Sequence, residues 1–383
     1  MFGRRIVWII FLSLWLGGGL AQAEGWESQF EQLDSENLTK VMEELQAEWT
    51  EVFPGGLKTT LGAIARGEMQ GDLSGILAQL GRALGGELWS ETALLGKLLV
   101  LALICAFLQN LSNALSEGAA SALTRMVAFL VLAGLAIGAF GVVLETARET
   151  MEQMTFLMEA LMPLLLTLLV AVGGVTSAGL FQPLIITGFT ILSGLIKNLV
   201  LPFLFMAALV GLIGYISPQF SLNQLSGLFK KGGLTLLGIF ITIFSGLLAL
   251  QGVSGAVGDG IGLRVAKYTT SAVVPVVGSM FSGAMETIVS SSLLIKNSLG
   301  LLGMLAAILI LLWPLLKILV LSFIFRLAGA LIEPVGDNRL SACLNDLGGH
   351  LTGVFAALAV VGLMFFLAVA MVVAMGNLTV MLR

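Results

Sequence analysis

The chain has 383 residues, of which 57% are hydrophobic and 11% charged, with a formal net charge of −4. Soluble domains carry about 25% charged residues, so this composition, with a mean hydropathy of +1.02, excludes an ordinary soluble protein. The acidic balance also excludes a nucleic-acid partner, which would require a basic patch.

Several runs approach or exceed the roughly 18 apolar residues that mark a membrane-crossing helix. The fold class read from this is all-α: a polytopic helical integral membrane protein with a small helical extracytoplasmic N-terminal region. Strands fit poorly, because period-2 alternation is absent and an open sheet cannot satisfy its edge amides in lipid. Two cysteines, Cys105 and Cys343, are too few for a disulfide framework.

In chain order, residues 1–23 read as a secretory signal peptide. Arg4 and Arg5 form the positive start, Ile6 to Leu16 the apolar core, and Ala21-Gln22-Ala23 the cleavage site. An uncleaved anchor is the alternative. Either way, the chain after residue 24 lies outside the cytoplasm. Residues 24–92 hold 13 of the 23 acidic residues and four basic ones, a solvated acidic face or a docking surface. They read as three short helices: Glu27 to Phe53, Leu57 to Met69, and Leu73 to Leu84 after an Asp72 cap. A unit of this size is marginal alone and calls for packing against the membrane part or a partner.

Residues 93–383 form the membrane domain. Ala93–Leu111 is the first span and Leu123–Leu144 the second. Glu145–Glu159 reads as an acidic outer link, with Met151, Met154 and Met158 on one stripe as packing or an adaptable docking face. Leu157–Val172 then re-enters and breaks at Gly173-Gly174. Gln182-Pro183 opens a run to Ile196, interrupted at Lys197-Asn198, and Val200–Ile216 comes next. Ser221–Gly233, with Lys230-Lys231, reads as an amphipathic cytoplasmic segment, and Leu234–Leu250 as a further span. Val253–Asn297 is rich in glycine and hydroxyl residues. It reads as a re-entrant, cavity-lining stretch or as an extracytoplasmic connection of amphipathic helices.

Leu299–Ile332 is apolar but carries Trp313-Pro314 and Lys317. It is either two short segments hinged there or one long helix that leaves the bilayer. Arg326 and Glu333 share a helical face, with Gly329 and Ala330 between them where a partner backbone can approach closely. Leu351–Met375 is the last span. About seven spans are expected, or nine if both broken pairs cross fully. Leu195-Ile-Lys-Asn198 recurs as Leu294-Ile-Lys-Asn297, which raises an internal duplication with transporter-like construction.

Enzymatic chemistry is not expected. The single histidine, His350, reads as a polar boundary residue, and no cluster has metal-ligand spacing or the form of a phosphate loop. An intramembrane protease would need paired aspartates or Ser with His, and Asp259, Asp337 and Asp346 all read as link residues. No catalytic residue, metal or cofactor is therefore assigned. The candidate residues are the intramembrane charges, costly in lipid and suggestive of function: Arg326, Glu333, Lys317, Lys197 and Lys296. Two readings stand for Arg326: a salt bridge to Glu333 or a bond to a backbone carbonyl, and contact with a partner subunit or wet pathway. Lys317, one turn after Trp313, reads as an interface anchor.

Over essentially its whole length the chain resembles the stage III sporulation protein AE family. The motifs that carry this are Arg326-Leu-Ala-Gly-Ala-Leu-Ile-Glu-Pro334, Gly336-Asp337, Cys343-Leu-Asn-Asp-Leu-Gly348, and Pro163 with Val175-Thr-Ser-Ala178 and Gln182-Pro183. The resemblance implies a multi-pass protein of the mother-cell membrane surrounding the forespore, with residues 24–92 in the intermembrane space. It implies a place in a channel- or secretion-like complex needed for late forespore development. Implied partners are other stage III membrane and ring proteins, a separate ATPase subunit, a forespore channel protein and an Oxa1-type insertase. Three roles are compatible with it: a pore or permease subunit, a scaffold anchoring rings and ATPase, or a stand-alone secondary transporter.

Overall fold

In a computed structural model of the protein, residues 119–216, 222–273, 278–335 and 338–381 are described, together with Gly96, Lys97, Val100 and Ile104. The expected signal peptide with its Ala23 cleavage site, the acidic region 24–92 and nearly all of the first span lie outside the described residues. The elements are α1 (Ala119–Ala171), α2 (Val175–Leu195), a π-helical turn (Ile196–Val200), α3 (Leu201–Ile216), α4 (Asn223–Val273), α5 (Gly278–Ile332), a 3-10 turn (Glu333–Val335) and α6 (Asn338–Met381). No strand occurs among the described residues. A helix suits lipid because it satisfies each amide within its own segment.

Five stretches are long and apolar enough to cross a membrane: Leu130–Ala171, Val175–Tyr215, Asn223–Leu250, Val289–Ile332 and Arg339–Asn377. The chain is a multi-pass helical membrane protein. Short connections make successive rods alternate in direction. The rods are also long: α1 has 53 residues, about 80 Å at about 1.5 Å per residue, against a hydrocarbon core of about 30 Å.

Several boundaries differ from those expected. Glu145–Glu159 is not a link but the middle of α1, continuous with the apolar segments on either side. Its residues keep helical spacing, so Met151, Met154, Leu157, Met158 and Leu161 are fully buried while the carboxylates point outward. The methionines are packing. The break at Gly173-Gly174 is real, but the helix resumes at Val175, ahead of Gln182-Pro183. Gly173 has φ 102, and its N–H bonds Val170 O (2.9 Å) while Gly174 N–H bonds Leu169 O (2.9 Å). This is the left-handed glycine stop that satisfies the last carbonyls of a helix.

The Lys197-Asn198 interruption is absorbed by one π turn, and α2 and α3 form a single crossing. Leu299–Ile332 is one helix running through Pro314, not two hinged segments. Backbone 253–273 and 278–297 is helical, which removes the non-helical re-entrant reading there. Five helices able to cross a membrane therefore stand among the described residues, where about seven or nine spans were expected over the whole chain. The two Leu-Ile-Lys-Asn copies do not share local structure, since one lies in the π turn and the other in regular α-helix.

The core is apolar and interlocked. Phe189 packs edge-on against Phe244 (6.3 Å) and Phe365 (6.1 Å), joining α2, α4 and α6. α5 and α6 pack closest, through glycines. A Cβ built on Gly329 would lie 3.0 Å from Ser341 O, and one on Gly348 2.9 Å from Ser322 O. The small face around Gly329 does receive a close backbone, and that backbone is the chain's own α6.

These contacts fix relative heights along the bundle. Phe140 meets Phe205 (6.3 Å), and Gly233 and Gly353 both pack on Leu204. Higher up, Glu159 accepts a 3.4 Å hydrogen bond from Thr190, next to the Phe189 layer. The segment Glu145–Glu159 thus lies at about the level of α4 residues 233–244 and α6 residues 353–365, which contain no charged residue. The charged stripe of α1 sits level with stretches of α4 and α6 that carry no charge, and meets a cation from the π turn, Lys197.

Candidate functional site

Polar side chains collect at three levels of the bundle. At the end where α5 hands over to α6, Arg326 donates to Thr352 Oγ1 (3.0 Å). The Ser322 and Thr352 hydroxyls both reach the Gly348 carbonyl (2.8 and 3.0 Å) and lie 3.0 Å from each other. Gly348 is what lets α5 come near enough for this. Arg326 and Glu333 form no ion pair. The 3-10 turn takes Glu333 off the α5 helix, so the seven-residue spacing no longer places it over Arg326. Lys317, half-buried on α5, is not brought to this group.

Beside it, α3, α4 and α6 share a second set. Ser226 donates to Ala207 O (2.7 Å), and its Oγ lies 3.5 Å from His350 Nε2. Tyr215 donates to Asp346. His350 is only 4% exposed, so it is a buried helix-interface residue and not a boundary one; Asp346 lies within α6 and not in a link. Ser and His do meet, which sequence spacing did not show. The serine proton is committed to the Ala207 carbonyl, so the contact bridges helices and does not prime a nucleophile. No group of three potential metal ligands occurs among the described residues.

At the opposite end, Lys296 is fully buried (0% exposed). Its Nζ donates to Val373 O (2.8 Å) and lies 3.5 Å from Val372 O. Gly376 makes the space, since a Cβ there would sit 1.7 Å from that Nζ. One residue on, Asn297 Nδ2 donates to Asn377 Oδ1 (3.3 Å), while the buried Asn297 Oδ1 accepts nothing. A lysine held on carbonyl dipoles inside a helix bundle keeps its charge uncompensated by any carboxylate among those contacts. Such groups cost several kcal/mol in a bilayer, with about 2.5–3.5 kcal/mol on insertion scales, and persist mainly where they have work to do.

Midway, Lys197 pairs with Glu152 across α1 and the π turn at 2.9 Å, both partly exposed. Lys197 lies within the π turn, and π turns often accompany functional positions. Of the five predicted charges, Lys296, Lys197 and Arg326 are engaged within the chain, at three separate levels. Lys317 and Glu333 are not gathered with them. Tyr215, Ser226, Ser322, Thr352 and Asn377 were not anticipated. Only Asn297, inside the repeated Leu-Ile-Lys-Asn motif, carried a signal.

An all-helical, multi-pass bundle with polar groups locked inside it defines a membrane protein whose interior charges are placed and not incidental. The family model described as stage III sporulation protein AE matches residues 56–376. A protein of that name from Bacillus subtilis (strain 168) is 34% identical over 398 aligned positions, covering 99% of this chain and 100% of the relative. The chain belongs to the stage III sporulation protein AE family. No solved structure matches it.

Proposed function

We propose that the chain is the membrane subunit of a transenvelope complex linking mother cell and forespore, and that it acts as a pore- or permease-like element needed for late forespore development. Family membership supports the sporulation role. The single observation that favours a permease-like part is Lys296, a buried cation on backbone carbonyls beside an unfilled asparagine acceptor. On this reading the protein sits in the mother-cell membrane around the forespore, with residues 24–92 in the intermembrane space. It works with the other stage III membrane and ring proteins, a separate ATPase subunit and a forespore channel protein, after insertion by an Oxa1-type insertase.

The test is to replace Lys296 by Met and Arg326 by Gln in sporulating cells, scoring complex assembly and small-molecule passage separately. Passage lost with assembly intact is the expected result for Lys296→Met. Loss of both together would instead assign a scaffold that anchors rings and ATPase. Substrate uptake by the purified protein alone would assign a stand-alone transporter.

A further inference from the structure

α1 has an outward face that nothing in the described chain covers. Along it run Gly134, Gly138, Gly141, Glu145, Arg148 and Glu152, all exposed. Their spacing of 4, 3, 4, 3 and 4 residues is the 3.5-residue period of a helix-pairing seam. A Cβ built on any of the three glycines meets nothing within 4 Å, so another backbone can come close along this lower half. The upper half is charged, at the depth where α4 and α6 are apolar.

Charge at that depth needs water or protein against it. Glu152 is paired with Lys197, whereas Arg148 and Glu145 have no hydrogen bond or ion pair among the described residues. The occupant must therefore offer both signs at one level. The chain's own apolar run 93–111 has Lys97 and no carboxylate, which leaves Arg148 unmet. α1 itself carries the required pattern, acid–base–acid, one layer apart.

We propose that this face is an interface with a second copy of the chain, the two α1 helices lying parallel across a two-fold axis normal to the membrane, with Arg148 of each set between Glu145 and Glu152 of the other. Copies inserted in the same orientation must present α1 in parallel, so equal residues share a level. Each Arg148 then reaches along the axis to a carboxylate one layer away, about 4.5–6 Å in rise. The glycines bring the backbones together below, and the alternating charges fix the register above, as polar seam positions do in paired helices. The interface does not depend on whether the subunit conducts, since a scaffold would associate in the same way.

The experiment uses the full-length protein in its membrane, with Cys105 and Cys343 replaced by Ala. Gly141→Cys is expected to give an oxidised dimer, whereas Leu363→Cys, on an exposed face of α6, is expected to give none. Adding Arg148→Glu to Gly141→Cys turns the alternation into like charge and is expected to weaken association about tenfold, roughly 1.4 kcal/mol. Combining it with Glu145→Arg makes one of the two contacts of position 148 opposite in charge again, the other still facing Glu152, and is expected to recover part of the lost dimer. These positions are exposed, so folding is preserved, and an unchanged melting temperature of the monomer fraction verifies it. Absence of a Gly141→Cys dimer, equal linking at Leu363→Cys, or indifference to Arg148→Glu would each overturn the proposal.

Discussion

Replacing Gly348 by Ala tests whether α5 and α6 are held at contact distance by glycine. The new Cβ would lie 2.9 Å from Ser322 O and 2.6 Å from Arg326 Cγ. Ordinary contact begins near 3.4 Å, so the carbonyl is too close by 0.5 Å and the arginine carbon by 0.8 Å. The arginine can move, but the carbonyl belongs to a helix and cannot move alone. The two helices must part locally, at an overpacking cost of about 1–3 kcal/mol. Parting them also stretches the 2.8 Å bond from Ser322 to Gly348 O, worth about 1 kcal/mol more. A total loss of about 2–4 kcal/mol is expected, read as unfolding of the purified protein in detergent with increasing denaturant. Gly238→Ala is the control, because a Cβ there meets nothing within 4 Å. It should be neutral or stabilise by up to about 1 kcal/mol through helix propensity. Equal stability of the two variants would refute the packing argument.

Three further outcomes rest on the same contacts. Lys296→Met should leave the fold as stable as the parent or more so, because it removes a desolvated charge whose carbonyl partners retain their helical bonds; a drop of about 2 kcal/mol or more in the denaturation midpoint energy would show that the lysine is instead a structural pin. A double-mutant cycle of Glu152→Gln and Lys197→Met should give a coupling of no more than about 1 kcal/mol, weakened by salt, because both partners are partly exposed. Gly211→Ala places a Cβ 3.0 Å from Ser226 Oγ and should destabilise by about 1 kcal/mol. Adding Ser226→Ala should cost less than the sum of the two single changes, since the crowding atom is gone, and strict additivity in thermal unfolding would rule that contact out.

Much of this protein can be read without coordinates. Apolar runs far beyond what a soluble domain tolerates dictate helices in a bilayer, since lipid offers a backbone no other partner. The glycine stop at Gly173 and the last crossing, residues 351–375, are equally local, because a left-handed turn and a long apolar run carry their signals in a few adjacent residues. The costly interior charges are visible by type, and Lys296, Lys197 and Arg326 all prove to be engaged. What sequence spacing misjudged was continuity. Glu145–Glu159 looks like a link because its composition is polar, yet its carboxylates occupy one face of an unbroken helix whose other face is core. Lys197-Asn198 looks like a break because charge interrupts an apolar run, yet one π turn accommodates it.

Partners were beyond reach for a different reason. Ser226 and His350 are 124 residues apart, Tyr215 and Asp346 131, and their meeting depends on how five antiparallel rods are rotated and staggered. That stagger is set by where glycines let backbones close up, at Gly329 and Gly348, and where Gly376 makes room for the Lys296 side chain. Helical character and burial of charge are properties of a segment against its solvent, so the amino-acid order determined them alone. Which charge meets which acceptor is a property of two surfaces in register, and only the packed bundle decided it.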